Sequence, residues 1–265
     1  MDAASRRAWT EVVTAEDYDR HMAAIGQAAA TAELLMNLLG QIPPSPRRRV
    51  LLLGGGTGWM FEHADVSPLV RVRLTVTDIN AGFLELLRRR ARSRGIEPEI
   101  VVDDLEDTRL APGREVVLAS LLLEHIDWRK GVAAIARLSP RSVVLVIQEN
   151  PPGMSTSVTP GRTLPDSIAR ASLISSSRLV PRTELVAEFE GRGYRLIVEE
   201  RRAVADSKTM VGLLFARAPT APARGSRRGQ LPSKRARTLS ASTVAHRLGT
   251  PGGSSRKGNT GPGKS

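Results

Sequence analysis

Glycines alternate at Gly54, Gly56 and Gly58 directly after the apolar run RVLLL, and Asp78 closes a second apolar run, LTVTD, twenty residues beyond Gly58. An aliphatic run that breaks into glycine reads as a buried strand feeding a tight turn. Strand, glycine turn, helix and a closing acid form the half-unit with which an open α/β sheet holds a nucleoside. The bare backbone approaches the ligand closely and the carboxylate takes ribose hydroxyls. The spacing then discriminates among ligands. A dinucleotide loop runs G-x-G-x-x-G, and its third glycine position falls here on the bulky Trp59. A phosphate-cradling loop continues Gly-Lys-Ser/Thr, whereas this one continues Gly58-Trp59-Met60-Phe61, with no cation to meet a phosphate. The G-x-G-x-G form that remains suits a ligand without phosphates.

These residues resemble those of the class I S-adenosylmethionine-dependent methyltransferases, and the likeness extends over most of residues 15–217. It implies an α/β fold: a Rossmann-like seven-stranded, mostly parallel sheet with an antiparallel last strand and helices on both faces. It also implies that Gly54, Gly56 and Gly58 cradle the cofactor and that Asp78 holds its ribose. In that family an acidic loop after the third strand reaches the adenine; IVVDDLED supplies Asp103 and Asp104, with Asp104 the better match and Leu105 beside it. The stretch EVVLASLLLEHIDW is similar to the family's fourth strand and its Leu-Glu-His turn, so Ser120, Leu123, Glu124 and His125 are carried to the methionine end. One position departs. The family usually has an acid two residues before the first glycine, and this chain has Leu52. Glu124 or residues of the first helix are the candidates for the contact near the cofactor's amino group.

The sulfonium of such a cofactor makes its methyl group electrophilic, so the protein contributes chiefly in-line positioning and exclusion of water. An alcohol or phenol acceptor would also need a base. His125, just past the fourth strand, is the candidate; the alternative is a histidine that only packs or bonds the backbone. His21 and His63 rank behind it, and His246 lies near the C-terminus. Trp59 and Trp128 read as core or pocket wall, with Trp128 a candidate on the substrate side. No metal site is expected, because Asp103 and Asp104 are adjacent and no histidine is spaced to join them.

The elements that must position these groups follow from pattern. Thr14 caps a leading helix over residues 15–42 that stops before Pro43-Pro44. Tyr18, His21 and Gln27 on it are candidates to line the pocket; a helix merely packed on the sheet is the alternative. The cofactor half spans about residues 49–128. Asn80 caps a helix with an apolar face at Phe83, Leu84 and Leu87. Its C-terminal half is crowded by Arg88, Arg89, Arg90, Arg92 and Arg94, read as solvated cations favoured by the helix dipole. A fifth strand, RSVVLVIQEN, ends in Asn150-Pro151-Pro152-Gly153. That motif lacks the aromatic of amino-group methylating enzymes and follows the wrong strand, so it is assigned no role. Residues 153–180 read as an insertion with a helix over 167–174, residues 181–191 as a helix, and residues 194–203 and 207–217 as an antiparallel hairpin joined near Asp206.

The 265 residues include no cysteine, which excludes disulfides, thiolate metal sites and methyl transfer through a cysteine nucleophile. The chain shows no long apolar stretch and no apolar core of a secretory signal, so no membrane partner and a cytoplasmic location are expected. Net charge is +12, yet ten Lys or Arg and no Asp or Glu fall in residues 218–265, leaving +2 on residues 1–217. Two parts are expected: a methyltransferase domain over 1–217 and a basic, Pro-, Gly- and Ser-rich disordered tail over 218–265. The tail reads as a solvated extension or as a non-specific, salt-sensitive contact for nucleic acid. The expected activity is methyl transfer to an O or N atom of a small-molecule acceptor. The alternatives are an RNA or DNA methyltransferase assisted by the tail, and a catalytically weak cofactor-binding protein. An NAD-dependent oxidoreductase is disfavoured by Trp59 and by the missing Tyr-x-x-x-Lys pair. Oligomeric state stays open.

Overall fold

The structure, a computed structural model, describes residues 1–45, 47–154, 164–174 and 178–218. Met1–Thr220 form one compact unit. The expected tail falls outside the described residues from residue 219 onward, as do 155–163 and 175–177 of the expected insertion.

The chain opens with α1 (Ala3–Arg7), capped by Asp2, whose Oδ1 accepts the Ser5 N–H at 2.7 Å. A π-helical turn, Ala8–Val12, follows. Thr14 then caps α2 (Ala15–Ala24) by accepting the Asp17 N–H. The helix expected over 15–42 breaks at Gly26, which takes φ +67, and resumes as α3 (Gln27–Gly40) after a bend of 85°. Gly26 is the one residue there without the Cβ that makes left-handed backbone costly. The bend lets α3 lie on the sheet while α2 crosses the ends of the strands.

The sheet begins with β1 (Arg49–Leu53) and the glycine loop, followed by a single turn, α4 (Met60–His63). Then come β2 (Arg73–Asp78), α5 (Ala81–Ser93), β3 (Glu99–Val102), β4 (Val116–Ser120), α6 (Trp128–Arg137) and β5 (Ser142–Glu149). The Asn80 cap holds: its Oδ1 accepts the Phe83 N–H at 3.1 Å, and Phe83, Leu84 and Leu87 are buried. After α7 (Asp166–Ile174) and α8 (Arg182–Glu190), β6 (Tyr194–Ala203) and β7 (Thr209–Arg217) pair as the expected antiparallel hairpin, turning at Asp206 with φ +62.

Seven strands form one sheet in the order β3-β2-β1-β4-β5-β7-β6, the first five parallel and β7 antiparallel to both of its neighbours. The parallel strands are apolar on both faces because helices cover both. Val50, Leu52, Val116, Leu118, Val144 and Val146 pack under α3, α4 and α5. Leu51, Leu53, Val117, Ala119, Val143 and Leu145 pack under α6 and α8. Leu52 thus belongs to a dry core face and is 2% exposed, where a carboxylate would need a buried partner. Among the described residues no single helix is long and apolar enough to cross a membrane.

Candidate functional site

Strand order reverses between β1 and β4, so the chain leaves their C-terminal ends in opposite directions and opens a crevice there, the place where sheets of this kind bind ligands. A cavity of about 690 Å³ occupies it. Its floor comes from the ends of all five parallel strands: Leu53 on β1 and Gly54 after it, Asp78 on β2, Asp103 and Asp104 after β3, Ser120 on β4 and Gln148 on β5. Its roof comes from the N-terminal segment and α7, through Trp9, Val13, Tyr18, His21, Met22, Ile25, Gln27, Ile168 and Ala171.

The roof is fastened to the sheet at several points. Arg6 pairs with Asp104 and the Asn80 side-chain amide donates to the Trp9 carbonyl at 2.8 Å, while within the roof the Thr14 N–H donates to Ser167 Oγ of α7 at 3.2 Å. Asp17 accepts the Ser167 N–H at 3.0 Å. An apolar cluster of Ala8, Val13, Phe83, Ile168 and Ala171 fills the seam. The short sequence before Thr14 shows no helical periodicity, so this part of the roof was not legible; Trp9 was its one signal.

Asp78 holds the loop from below. One carboxylate oxygen accepts the Gly56 N–H and the other the Asn80 N–H, both at 2.9 Å, and burial pushes its pKa above the ordinary carboxylate value. Each oxygen keeps lone pairs for a further donor. Gly54 and Gly56 line the cavity; Gly58 serves packing instead. It has φ +82, and a Cβ there would lie 2.8 Å from the Leu87 Cα of α5. Gly58 therefore does the close helix packing that a dinucleotide loop assigns to the next glycine position, and Trp59 is freed to stack on His63 with ring centroids 4.5 Å apart.

At the far side of the floor Asp104 Oδ1 accepts the Glu106 N–H at 3.0 Å and so caps the turn Leu105–Asp107. Asp103 Oδ2 is buried without a partner. Beyond β4, Leu121 takes φ +51, strained backbone for a branched residue, at the cavity wall. The following turn, Leu123–His125, presents two titratable groups. Glu124 is 2% exposed; Oε1 accepts the Gln148 N–H at 2.9 Å, Oε2 is buried without a partner, and burial pushes its pKa up to about 7. Gln148 is in turn held by Gln27, whose Nε2 donates to its Oε1 at 2.8 Å. Desolvation pulls His125 down to about 4, which keeps its imidazole neutral at pH 7, and its ring meets that of Trp9 edge-on at 4.7 Å. Burial, then the charges of Asp78 and Asp19, push the Tyr18 phenol up; its ring lies between Trp9 and Phe83.

Of the residues singled out in the sequence, Gly54, Gly56, Asp78, Asp104, Leu105, Ser120, Tyr18, His21, Gln27, Glu124 and His125 line this one cavity. Trp128 does not: it opens α6, packs on the lower core and carries the Arg129 guanidinium over its ring. The turn at Asn150 is internally bonded, with Asn150 Nδ2 donating to the Met154 carbonyl at 3.1 Å. The arginines of α5 do not all serve as solvated cations. Arg90 is 14% exposed and donates to Asp19 and Glu62, each at 2.8 Å, and to the Thr57 carbonyl at 2.9 Å. Arg94 Nε donates to the Phe61 carbonyl at 2.7 Å. Asp19, Thr57 and Arg90 form a network at the glycine loop that no local spacing announces.

The strand order and the crevice geometry define a Rossmann-like α/β domain. Sequence and structure comparisons narrow the class. Residues 50–140 match the profile of a methyltransferase domain. The fold is similar to that of magnesium protoporphyrin IX methyltransferase from Synechocystis PCC 6803, with 13% identity, 81% of this chain and 90% of that chain covered and a TM-score of 0.52. It is likewise similar to geranyl diphosphate C-methyltransferase from Streptomyces coelicolor A3(2), at 16% identity, 71% and 79% coverage and a TM-score of 0.52. The (4+2)-cyclase SpnF matches at 12% identity, 70% and 80% coverage and a TM-score of 0.51. No curated protein matches the chain in sequence. The chain thus has the Rossmann-like fold of these proteins, and within it residues 50–140 carry the match to a methyltransferase domain.

Proposed function

We propose that the chain is an S-adenosylmethionine-dependent methyltransferase acting on an O or N atom of a small acceptor. The observation that carries this reading is one roofed cavity that brings together a ribose-type acid, Asp78, at the glycine loop and the imidazole of His125 beyond the end of β4. The residues fit the cofactor. Asp78 has lone pairs free for ribose hydroxyls, Asp103 keeps a buried oxygen unsatisfied beside the loop expected to meet the adenine, and Gly54 and Gly56 present bare backbone. With Leu52 committed to the core, Gln27, Gln148 and Glu124 are the polar groups offered near the end of β4. When bound, the cofactor supplies an electrophilic methyl group on a sulfonium.

The roof orients the acceptor and excludes water, since Trp9, Val13, Ile126, Ile168 and Ala171 make that end apolar. His125 is the group placed to accept the acceptor's proton as the methyl group transfers. The desolvation that holds it neutral also weakens it as a base, so the proton transfer needs the imidazolium to be stabilised by the bound reactants. The presence of a cyclase among proteins of this fold makes the transfer itself the thing to test. Calorimetry should show binding of S-adenosylhomocysteine and none of NAD; binding of NAD alone would overturn the reading. Labelled S-adenosylmethionine with a small-molecule extract should then yield a labelled product. For a hydroxyl acceptor, His125→Ala should lower kcat by about 10²–10⁴ with cofactor affinity unchanged. An unchanged kcat would remove His125 from the mechanism.

A further inference from the structure

We propose that Asp19 is a positioning residue for the cofactor: by tying α2 to the glycine loop, it holds that loop in its binding conformation before any ligand arrives. The inference rests on reading the cavity as an S-adenosylmethionine site. Asp19 lies on the roof helix between Tyr18 and Arg20, one residue from a ring that lines the cavity. Its side chain turns toward the loop and collects three donors. Oδ1 accepts from Thr57 Oγ1 at 2.5 Å and from Trp59 Nε1, while Oδ2 accepts from Arg90 at 2.8 Å. Thr57 and Trp59 flank Gly58, and the Arg90 that pairs with Asp19 also takes the Thr57 carbonyl and reaches Glu62 on α4. Thr57 is 1% exposed, so its hydroxyl has no bulk water to fall back on.

The loop is thus held from opposite sides, by Asp78 on Gly56 from within the sheet and by Asp19 on Thr57 and Trp59 from the roof. Glycine-rich backbone gains the most freedom when released, so a loop fixed in advance spares the ligand that ordering cost. The same carboxylate registers α2, and with it Tyr18 and His21, against the loop. Trp59 takes a second role here: it stands where a dinucleotide loop has glycine, and its indole N–H supplies one of the three donors.

The full-length chain is the sample. Hydrogen exchange on ligand-free protein, calorimetry with S-adenosylhomocysteine and thermal melting are measured for wild type, Asp19→Asn, Thr57→Val and Trp59→Phe. Asp19→Asn should speed amide exchange in residues 16–24 and 54–60 together while leaving β4 and β5 unchanged, and should weaken S-adenosylhomocysteine binding about tenfold, as expected for one lost charge-assisted hydrogen bond. Trp59→Phe and Thr57→Val, each removing one donor, should fall between. Should Asp19→Asn fail to fold, these two decide. Affinity within twofold of wild type in all folded variants, whatever the melting temperature does, would overturn the proposal, as would faster exchange confined to α2. Absence of binding by the wild type would instead sink the methyl-donor reading and this proposal with it, and the exchange pattern would still report whether Asp19 fixes the loop.

Discussion

Gly58 and Gly26 both carry positive φ, but they differ in what surrounds them, and that difference predicts their substitution. An alanine Cβ at position 58 would press on the Leu87 backbone at 2.8 Å, while nothing lies within 4 Å of one at position 26. Gly58→Ala is therefore expected to cost about 3 kcal/mol or more, and Gly26→Ala only about 1 kcal/mol of backbone strain. Chemical denaturation of both variants checks the order, and equal losses would mean that the α5 contact yields freely. Glu124 makes a second residue-scale prediction. Its pKa rises from 4.5 to about 7 on folding, so between those values the folded state holds a proton that the unfolded state has released. Stability then falls as pH climbs from about 4.5 to about 7 and stays lower above, by on the order of 3 kcal/mol. Glu124→Gln does not titrate and should gain on the wild type across that window, read as diverging melting temperatures; parallel curves would show that the carboxyl does not carry the dependence.

At the scale of elements, the strands were legible because each parallel strand is a short aliphatic run, and such runs have few other places to go. Caps at Thr14 and Asn80 were legible because the donor they serve lies three residues on. The break at Gly26 was not. A lone glycine is tolerated within a helix, and only the need to cover the sheet with α3 and the strand ends with α2 decides that this one bends. The roof depends on that bend, which predicts an asymmetry in opening. The N-terminal segment and α7 should exchange amide hydrogens faster than α3, because a few side-chain bonds and a small apolar cluster hold them, whereas α3 buries Leu34, Leu35, Leu38 and Leu39. Slower exchange in α1 and α7 than in α3 would contradict that picture.

For the whole molecule, ligand binding should appear as stability. At a free concentration a hundredfold above Kd, S-adenosylhomocysteine should add about 2.7 kcal/mol, seen as a rise of several degrees in melting temperature, and NAD should add none. An equal rise with both ligands would return the oxidoreductase reading. The sequence by itself determined the strand, glycine turn and closing acid of the half-unit and the lack of a third loop glycine and of a phosphate-binding lysine, because each is encoded in neighbours along the chain, while the seven-stranded sheet was expected from the resemblance. Tertiary structure alone decided that Leu52 faces a dry core, that Trp128 stands apart from the cavity, and that Asp19, Thr57 and Arg90 converge. Asp19 meets Thr57 across 38 residues and Arg90 across 71. No local spacing encodes such a meeting; it exists only once the sheet has brought its loop, roof helix and flanking helix to one end.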